Sequence, residues 1–287
     1  MQPSLRSARL KLAFVSPVNP VPDGISDYSE ALLSALGDLA DVTLYSDCGF
    51  PTNPEIGRRF WPRPVAQLLT EADHFDLALY QIGNSDHHQP AFDNLRRRPA
   101  VVTLHEPFLH HGLRAISRLR YRRELFYEQG YLPEAEVERW AQESDRERLL
   151  TSPLIGRLVD TSLGIIVHSH SARRIIEAQI GQQARPRAEL PLTVIPMIMP
   201  LLPEYDRAEA RTELGLSTEA LIFGVAGTID PTKEPALILQ AFAQLRAVIP
   251  TGPRSRRSAW RRWMARSHWC GRMVVNWRCW TPPSPSW

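Results

Sequence analysis

The sequence predicts an α/β protein in which a Rossmann-like first domain with a parallel sheet precedes an incomplete second domain of the same kind. Two observations lead to this prediction. Short apolar runs alternate with helical stretches over residues 1–200, as they do in doubly wound sheets. One further strand-and-helix unit follows, and the next strand expected after it is missing. The predicted domains are 1–202 and 203–250, with a tail over 251–287.

The strands of the first domain are predicted from apolar runs of four to eight residues, rich in Val, Ile and Leu. Most runs do not alternate with polar residues, which is typical of strands buried on both faces of a parallel sheet. The predicted strands are Leu10–Val15, Val42–Tyr45, Phe75–Ile82, Ala100–Leu104, Leu163–Val167 and Leu192–Ile195.

Helices are predicted between these strands. Leu32, Leu33, Leu36 and Leu39 form an apolar stripe at helical spacing, and the segment 27–30, Asp-Tyr-Ser-Glu, has the pattern of a capping box. A second helix of this kind follows a strand near residue 168, with Ser169 or Ser171 as its cap. The region 107–160 is helical and charged, with Pro133 and Pro153 beginning two of its helices.

The second domain is predicted to begin after a proline-punctuated crossing segment that ends near residue 203. Leu221–Ala226 is its predicted strand and Pro235–Val248 its helix. Because no further strand is expected to pair with it, that strand is predicted to expose two unpaired edges, and the chain is predicted to be prone to aggregation.

Charge is distributed unevenly along the 287 residues. The whole chain carries 34 Lys and Arg against 31 Asp and Glu, but eight Arg and no Asp, Glu or Lys lie in 251–287, so residues 1–250 carry a net charge of −5. Three Cys without a C-x-x-C pair argue against a zinc site or a disulfide framework, and favour a reducing, cytoplasmic location. No apolar stretch is long enough for a membrane span, although peripheral membrane contact stays open.

Three interpretations compete for the tail, which contains six of the eight Trp. Arg and Trp could bind nucleic acid through phosphate contacts and stacking, or could lie at a membrane interface. The third interpretation is a shifted reading frame, which in a GC-rich gene yields this bias toward Arg, Trp, Pro, Ser and Cys. The abrupt change in composition favours the third, with a disordered or poorly packed tail.

Candidate site residues follow the strands, since ligands of doubly wound sheets bind at the carboxyl ends of the strands. Gly24 precedes a predicted helix N-terminus, where an anion is favoured, although a proline-rich loop ending in a cap explains it equally well. Asn84 follows the third strand, and His105 and Glu106 follow the fourth. A lone His at a strand end is a ligand contact or a structural residue.

Two kinds of site are disfavoured by spacing. The dinucleotide fingerprint G-x-G-x-x-G is absent, which argues against an enzyme that uses NAD. His105 and His110 are five residues apart with Pro107 between them, so they do not form the zinc-binding helix H-E-x-x-H. No cofactor and no metal are expected.

Together these segments resemble the retaining glycosyltransferases of family four, which have the GT-B fold. The resemblance covers roughly residues 10–250 and depends on the order and spacing of six motifs. They are P-x-P-x-G-I-x-D-Y over 20–28, Y-Q-I-G-N over 80–84, V-V-T-L-H-E over 101–106, V-H-S over 167–169, L-G-L over 214–216 and G-x-I-x-P-x-K over 227–233.

The resemblance implies that the first domain binds an acceptor and the second a nucleotide sugar. Gly24, Gly227 and Lys233 match residues near the donor phosphates, with Lys233 neutralising the diphosphate leaving group. His105 matches the histidine that faces the transferred sugar, and is the expected catalytic residue.

The remaining motif residues are assigned to substrate binding: Asn84, Asp27, Tyr28 and Glu106.

Two departures from the family pattern bear on the expected activity. Thr228 stands where an arginine is usual, and the paired glutamates of the donor domain are absent, because Glu234 is the last acidic residue.

The expected function is therefore transfer of a sugar from a nucleotide-sugar donor to a glycan, lipid or small-molecule acceptor with retention, although this chain is expected to be inactive. A non-catalytic module that binds a sugar, a nucleotide or a partner is the alternative. A weaker one is nucleic-acid binding through the tail; no specific nucleic acid is expected.

Overall fold

A computed structural model describes residues 9–47, 49–141, 146–182, 190–198, 204–217, 222–225, 234–248 and 273–276. The chain divides into two compact units, Met1–Pro200 and Leu201–Trp287. The boundary predicted from the sequence, 202/203, lies two residues beyond this division.

The first unit contains a six-stranded sheet in which every neighbouring pair is parallel. The strand order is β2-β1-β3-β4-β5-β6. All six predicted strands are confirmed, and the mixed α/β class with a Rossmann-like parallel sheet is confirmed with them. The strands are β1 (Lys11–Val15), β2 (Asp41–Tyr45), β3 (Leu77–Ile82), β4 (Ala100–Leu104), β5 (Ser162–Val167) and β6 (Leu192–Val194).

Helices connect these strands and cover the sheet. Three-residue 3-10 turns lie at Val65–Gln67, Ala72–His74 and Asp86–His88. The helices are α1 (Gly24–Leu39), α2 (Pro54–Arg59), α3 (Leu68–Glu71), α4 (Gln89–Leu95), α5 (His110–Ile116), α6 (Arg118–Gln129), α7 (Glu134–Ala141), α8 (Arg146–Thr151), α9 (Gly156–Thr161) and α10 (His170–Gln182).

The caps of two helices test the sequence analysis. Ser169 caps α10, with its hydroxyl 3.1 Å from the backbone N of Ala172. The predicted capping box at 27–30 is wrong, because α1 begins one turn earlier and Asp23 is its cap, accepting from the backbone N of Ile25 at 2.9 Å. Asp23 lies where the extended loop turns into the helix, so Asp23 and not the later Asp27 accepts from the free backbone N–H groups of the first turn.

The sheet is covered on both faces, as the apolar runs predicted. Ala13 and Val15 of β1 belong to the larger core cluster, whereas Phe14 between them packs with Leu33 and Leu44 in the smaller one. Successive side chains of a strand point to opposite faces. The carboxyl edge of the sheet is therefore a rigid platform for the loops that follow each strand.

The second unit, described by itself, contains α11 (Arg207–Glu213), β7 (Ile222–Val225), α12 (Pro235–Val248) and β8 (Met273–Asn276). The predicted strand and helix are both present. The expectation of two unpaired edges on this strand is corrected, because β7 and β8 form an antiparallel pair in which Phe223 lies opposite Val275. The strand β8 lies in the tail, where no strand was predicted from the pattern; the rest of 251–287 lies outside the described residues.

Candidate active site

The strand order reverses between β1 and β3, since β1 is flanked by β2 on one side and β3 on the other. Doubly wound sheets bind ligands in the crevice at such a switch point. The loops that follow β1, β3, β4 and β5 therefore define the candidate site. Asn84 and His105 lie in these loops, and Gly24 begins α1 where the first loop ends, at the same edge of the sheet.

The loop after β1 is fixed onto α1 by side-chain hydrogen bonds. The hydroxyls of Ser16 and Ser29 are 2.7 Å apart. Asp27 accepts a hydrogen bond from Asn19 Nδ2 at 2.8 Å, and Glu30 accepts one from Asn19 N at 2.9 Å. Asp27, predicted to bind substrate, thus supports the loop.

The N-terminus of α1 is occupied by a carboxylate. Asp23 Oδ1 accepts from Ile25 N, and Asp23 Oδ2 accepts from the hydroxyl of Ser85 at 2.7 Å. Burial raises the pKa of Asp23, but the neighbouring His88 and the hydrogen bonds from Ile25 and Ser85 outweigh it, and the net pKa is well below its usual range. Gly24 is exposed beside this charge and has open space around its Cα.

His88 lies beneath Asp23 and is fully buried. Its Nδ1 is 3.1 Å from the carbonyl oxygen of Gln81, and its Nε2 is 3.3 Å from Asp23 Oδ2. The second contact is an ion pair only if the ring is protonated, and Nε2 has no well-aligned hydrogen-bond partner among the described residues. A Cβ at Gly83 would lie 2.7 Å from this nitrogen and 2.3 Å from Ile25 Cδ1, so only glycine fits there.

His105 extends from the end of β4 and contacts two polar side chains. Its Nε2 is 2.9 Å from Gln81 Oε1, and its Nδ1 is 3.1 Å from His168 Nε2. Burial, and secondly the neighbouring His168, lower the pKa of His105 to about 3. The ring is therefore neutral at physiological pH.

His168 follows β5 as His105 follows β4, and its Nδ1 is 2.8 Å from the carbonyl oxygen of Ile195. We name the series Ile195 O, His168, His105 and Gln81 the imidazole row. The row contains three contacts, and each needs one N–H group as donor. Two neutral imidazole rings have only one N–H group each, so they supply two donors. The row is complete with both rings neutral only when Gln81 turns its NH2 group toward His105. When Gln81 Oε1 faces His105 the row is one proton short, and because burial lowers the pKa of His105 to about 3, this ring does not take up that proton at physiological pH.

The ring of Tyr28 contacts both histidines. Its centroid lies 4.7 Å from that of His105 and 5.2 Å from that of His168, with edge-to-face geometry in both cases. Burial raises the pKa of Tyr28. Tyr28 and His105 were predicted as site residues and lie together, whereas His168 was quoted only as part of a motif. Its place after a buried strand was the signal that could have assigned it.

The other predicted residues have local contacts. Asn84 Oδ1 accepts from the backbone N of Gly112 at 2.7 Å, which joins the loop after β3 to α5. Glu106 is exposed and accepts from Phe108 N at 3.3 Å. Gly227 and Lys233 lie outside the described residues.

His110 is part of the core. Its Nε2 is 2.6 Å from the carbonyl oxygen of Ser152, and its ring stacks on Trp140. Burial lowers the pKa of His110 to about 4. In the described ranges, no three His, Cys, Asp or Glu side chains come together as ligands for a metal ion.

No described helix is both long and apolar enough to cross a membrane.

Comparison with known proteins gives one short similarity. Over 45 residues the chain is 47% identical to a D-inositol 3-phosphate glycosyltransferase of Stackebrandtia nassauensis, a segment that is 16% of this chain and 10% of that protein. No protein-family model and no solved structure matches. The chain thus combines a Rossmann-like parallel sheet with a short segment similar to a glycosyltransferase.

Proposed function

We propose that the chain belongs to the retaining glycosyltransferases of family four and transfers a sugar from a nucleotide-sugar donor to a glycan, lipid or small-molecule acceptor. One observation carries the proposal: Tyr28, His105 and His168 meet at the carboxyl edge of a parallel sheet, beside its switch point. The short similarity to a glycosyltransferase supports the same reaction class.

In this proposal His105 contacts the transferred sugar. Both ring nitrogens of His105 already contact Gln81 and His168, so a sugar hydroxyl would bond to this neutral ring by replacing one of these two contacts. His168 is a positioning residue, because its contact with Ile195 O fixes which of its nitrogens faces His105. Gly24, Gly227 and Lys233 are the proposed contacts for the donor phosphates.

Sugar transfer of this kind depends more on stabilising the charge of the leaving group than on a protein nucleophile. Loss of a nucleoside diphosphate from an anomeric carbon builds negative charge on the leaving oxygen, and preorganised cations or N–H groups stabilise that charge. With retention, as the family resemblance implies, the leaving phosphate itself can accept the proton of the acceptor hydroxyl.

One observation favours the non-catalytic alternative. The carboxylate of Asp23 already occupies the N-terminus of α1, where a donor phosphate would be stabilised by the helix dipole. A module that binds a neutral sugar would tolerate this charge better than an enzyme that binds a diphosphate. Nucleotide binding therefore separates the two functions.

The test compares the full chain with His105→Asn and with His74→Asn, a matched control at an exposed position on the opposite edge of the sheet. Each protein is incubated with labelled UDP- and GDP-sugars and an acceptor mixture, and products are identified by mass spectrometry. Transfer by the unchanged chain would overturn the expectation from the sequence that this chain is inactive. Where transfer is measured, we expect His105→Asn to lower its rate about 100-fold with little change in melting temperature, and His74→Asn to change neither.

Equal rates for His105→Asn and the unchanged chain would reject the catalytic role of His105. Sugar binding without any nucleotide binding or transfer would reject the transferase and establish the binding module instead.

A further inference from the structure

A buried histidine that the proposed transfer does not use lies beneath the N-terminus of α1. His88 ends the 3-10 turn Asp86–His88, and its side chain is fully buried. Its ring contacts Gln81 of β3 through one nitrogen and Asp23, the cap of α1, through the other. The ring therefore joins the ends of the loops that follow β1 and β3, both of which belong to the candidate site.

The contacts of this ring determine how many protons it needs. Its Nδ1 is 3.1 Å from the carbonyl oxygen of Gln81, which only accepts hydrogen bonds, so Nδ1 is protonated. In a neutral ring Nε2 would then be an acceptor, and it lies 3.3 Å from the carboxylate oxygen Asp23 Oδ2. The other neutral tautomer has the same conflict at Gln81. Two acceptors that face each other in a buried position are unfavourable.

A second proton on the ring removes this conflict. Both nitrogens of an imidazolium are donors, so Nδ1 donates to Gln81 while Nε2 faces the charge of Asp23. Attraction between opposite charges does not require the alignment of a hydrogen bond. Asp23 is held in its charged form by other donors, because Oδ1 accepts from Ile25 N at 2.9 Å and Oδ2 from the Ser85 hydroxyl at 2.7 Å. The additional proton therefore belongs to the ring.

The other titratable groups around the turn leave Asp23 as the charge that this ring meets. Burial, then His168 and then His88 lower the pKa of His105, so His105 is neutral. In α5, which packs on the turn, burial lowers the pKa of His110 to about 4, and His111 is exposed. Asp86 and His87, on the turn itself, are also exposed, where solvent and salt screen charges.

We propose that His88 is an imidazolium at pH 7 and forms a buried ion pair with Asp23, which positions the N-terminus of α1 and cancels the charge of its capping carboxylate. The consequence for ligands rests on the proposed function: the diphosphate of a nucleotide sugar near this N-terminus meets a neutral pair instead of a lone carboxylate. His88 is a positioning residue, because it acts on the ligand through Asp23.

The first experiment measures the protonation of His88 in the full chain. The histidines are labelled with 15N, and NMR spectra that correlate ring protons with ring nitrogens are recorded at pH 7. The signals of His88 are those missing from His88→Gln. We expect both of its nitrogens to have the shifts of an imidazolium. His87→Gln, a matched control at an exposed position on the same turn, should leave these signals unchanged.

Asp23→Asn tests the pair without removing the helix cap. Asn caps helices as well as Asp does, so its Oδ1 can still accept from Ile25 N. Its Nδ2 replaces Oδ2 and can donate to Nε2, which satisfies a neutral ring. We expect His88 to lose its second proton in this variant at pH 7. A neutral His88 in the unchanged chain, or an imidazolium that persists in Asp23→Asn, would overturn the proposal.

The effect on ligands is measured by titrating UDP and GDP at low salt, followed by isothermal calorimetry. His88→Gln leaves the Asp23 carboxylate without its counter-charge and should weaken nucleotide binding about 5-fold, as one screened charge allows. The double variant Asp23→Asn/His88→Gln is neutral again and should restore the affinity of the unchanged chain. Asp23→Asn alone should also bind as the unchanged chain does. A purely structural loss in His88→Gln would not be restored.

The pair and the transferase fail in different ways. An imidazolium at His88 without binding of either nucleotide keeps the pair and rejects the transferase. Nucleotide binding with a neutral His88 keeps the transferase and rejects the pair. Equal affinities in His88→Gln and the unchanged chain, or a double variant that stays weak, would reject the effect of the pair on the ligand.

Discussion

The two units differ in what their apolar side chains contact. In the first unit, six parallel strands are covered on both faces, and apolar residues such as Phe14 and Leu33 are fully buried. In the second, α11 has no buried residue, and Leu237, Ile238 and Leu239 of α12 are exposed. The helices of both units have apolar residues, so helical pattern alone does not produce a core.

The difference shows that apolar side chains become buried only where a sheet and helices pack in layers. A sheet can bury apolar side chains on both faces only when helices cover each face. Within the described residues of the second unit, one antiparallel strand pair and two helices are present. An isolated two-stranded pair is marginally stable in water, and the first unit is therefore expected to determine the stability of the described structure.

The largest expected effect is on the free energy of unfolding, when a leucine is shortened to alanine in the first unit. The same substitution in the second unit is the comparison. Leu33 in α1 is fully buried, whereas Leu237 in α12 is 56% exposed. Leu33→Ala should lower the free energy of unfolding by about 2–5 kcal/mol, and Leu237→Ala by less than about 0.5 kcal/mol. Urea denaturation followed by circular dichroism measures both. Equal losses would mean that α12 is buried in a core of its own.

Acid should weaken the first unit selectively. Unfolded His110 has an ordinary pKa of 6.5, and burial lowers it to about 4 in the fold. Below pH 6.5 the unfolded chain binds a proton that the folded chain does not, so stability present at pH 7 is lost as the pH falls toward 4. At about 1.4 kcal/mol per pKa unit, the loss approaches about 3 kcal/mol.

His105, whose pKa burial lowers to about 3, adds a loss of the same sign over pH 6.5 to 3. The described part of the second unit contains no His, so this effect should be confined to the first. Urea midpoints measured from pH 7.5 to 4 give the slope, and His105→Asn should reduce it. A slope that the variant leaves unchanged would contradict the assigned burial of His105.

The smallest expected effect tests the loop contacts of the site. Gly83→Ala places a Cβ 2.3 Å from Ile25 Cδ1 and should cost about 1–3 kcal/mol. Gly24→Ala meets nothing within 4 Å, so it should leave stability unchanged or raise it by up to about 1 kcal/mol. Thermal melts of the two variants compare them directly. Similar losses in both would mean that the N-terminus of α1 is packed more tightly than the structure indicates.

Most of the first unit could be predicted from local pattern. Each strand is a short apolar run, and burial of a run on both faces leaves one class of solution, a parallel sheet covered by helices. Prediction of the capping position failed because two acidic residues, Asp23 and Asp27, lie within one turn. Only the loop conformation decides which of them reaches the free backbone N–H groups.

The candidate site also has features that the sequence determines and features that only the tertiary structure determines. The sequence alone determined that His105 follows a buried strand, and therefore lies at the edge where ligands bind. Tertiary structure decided that His168, 63 residues later, is its partner, and that Asn84 joins a loop to α5. It also decided that Ser46 is buried, with no hydrogen-bond partner for its Oγ among the described residues. The reason is geometric: strand ends distant in sequence become neighbours only when the order of strands in the sheet is fixed, and that order depends on packing across the whole unit.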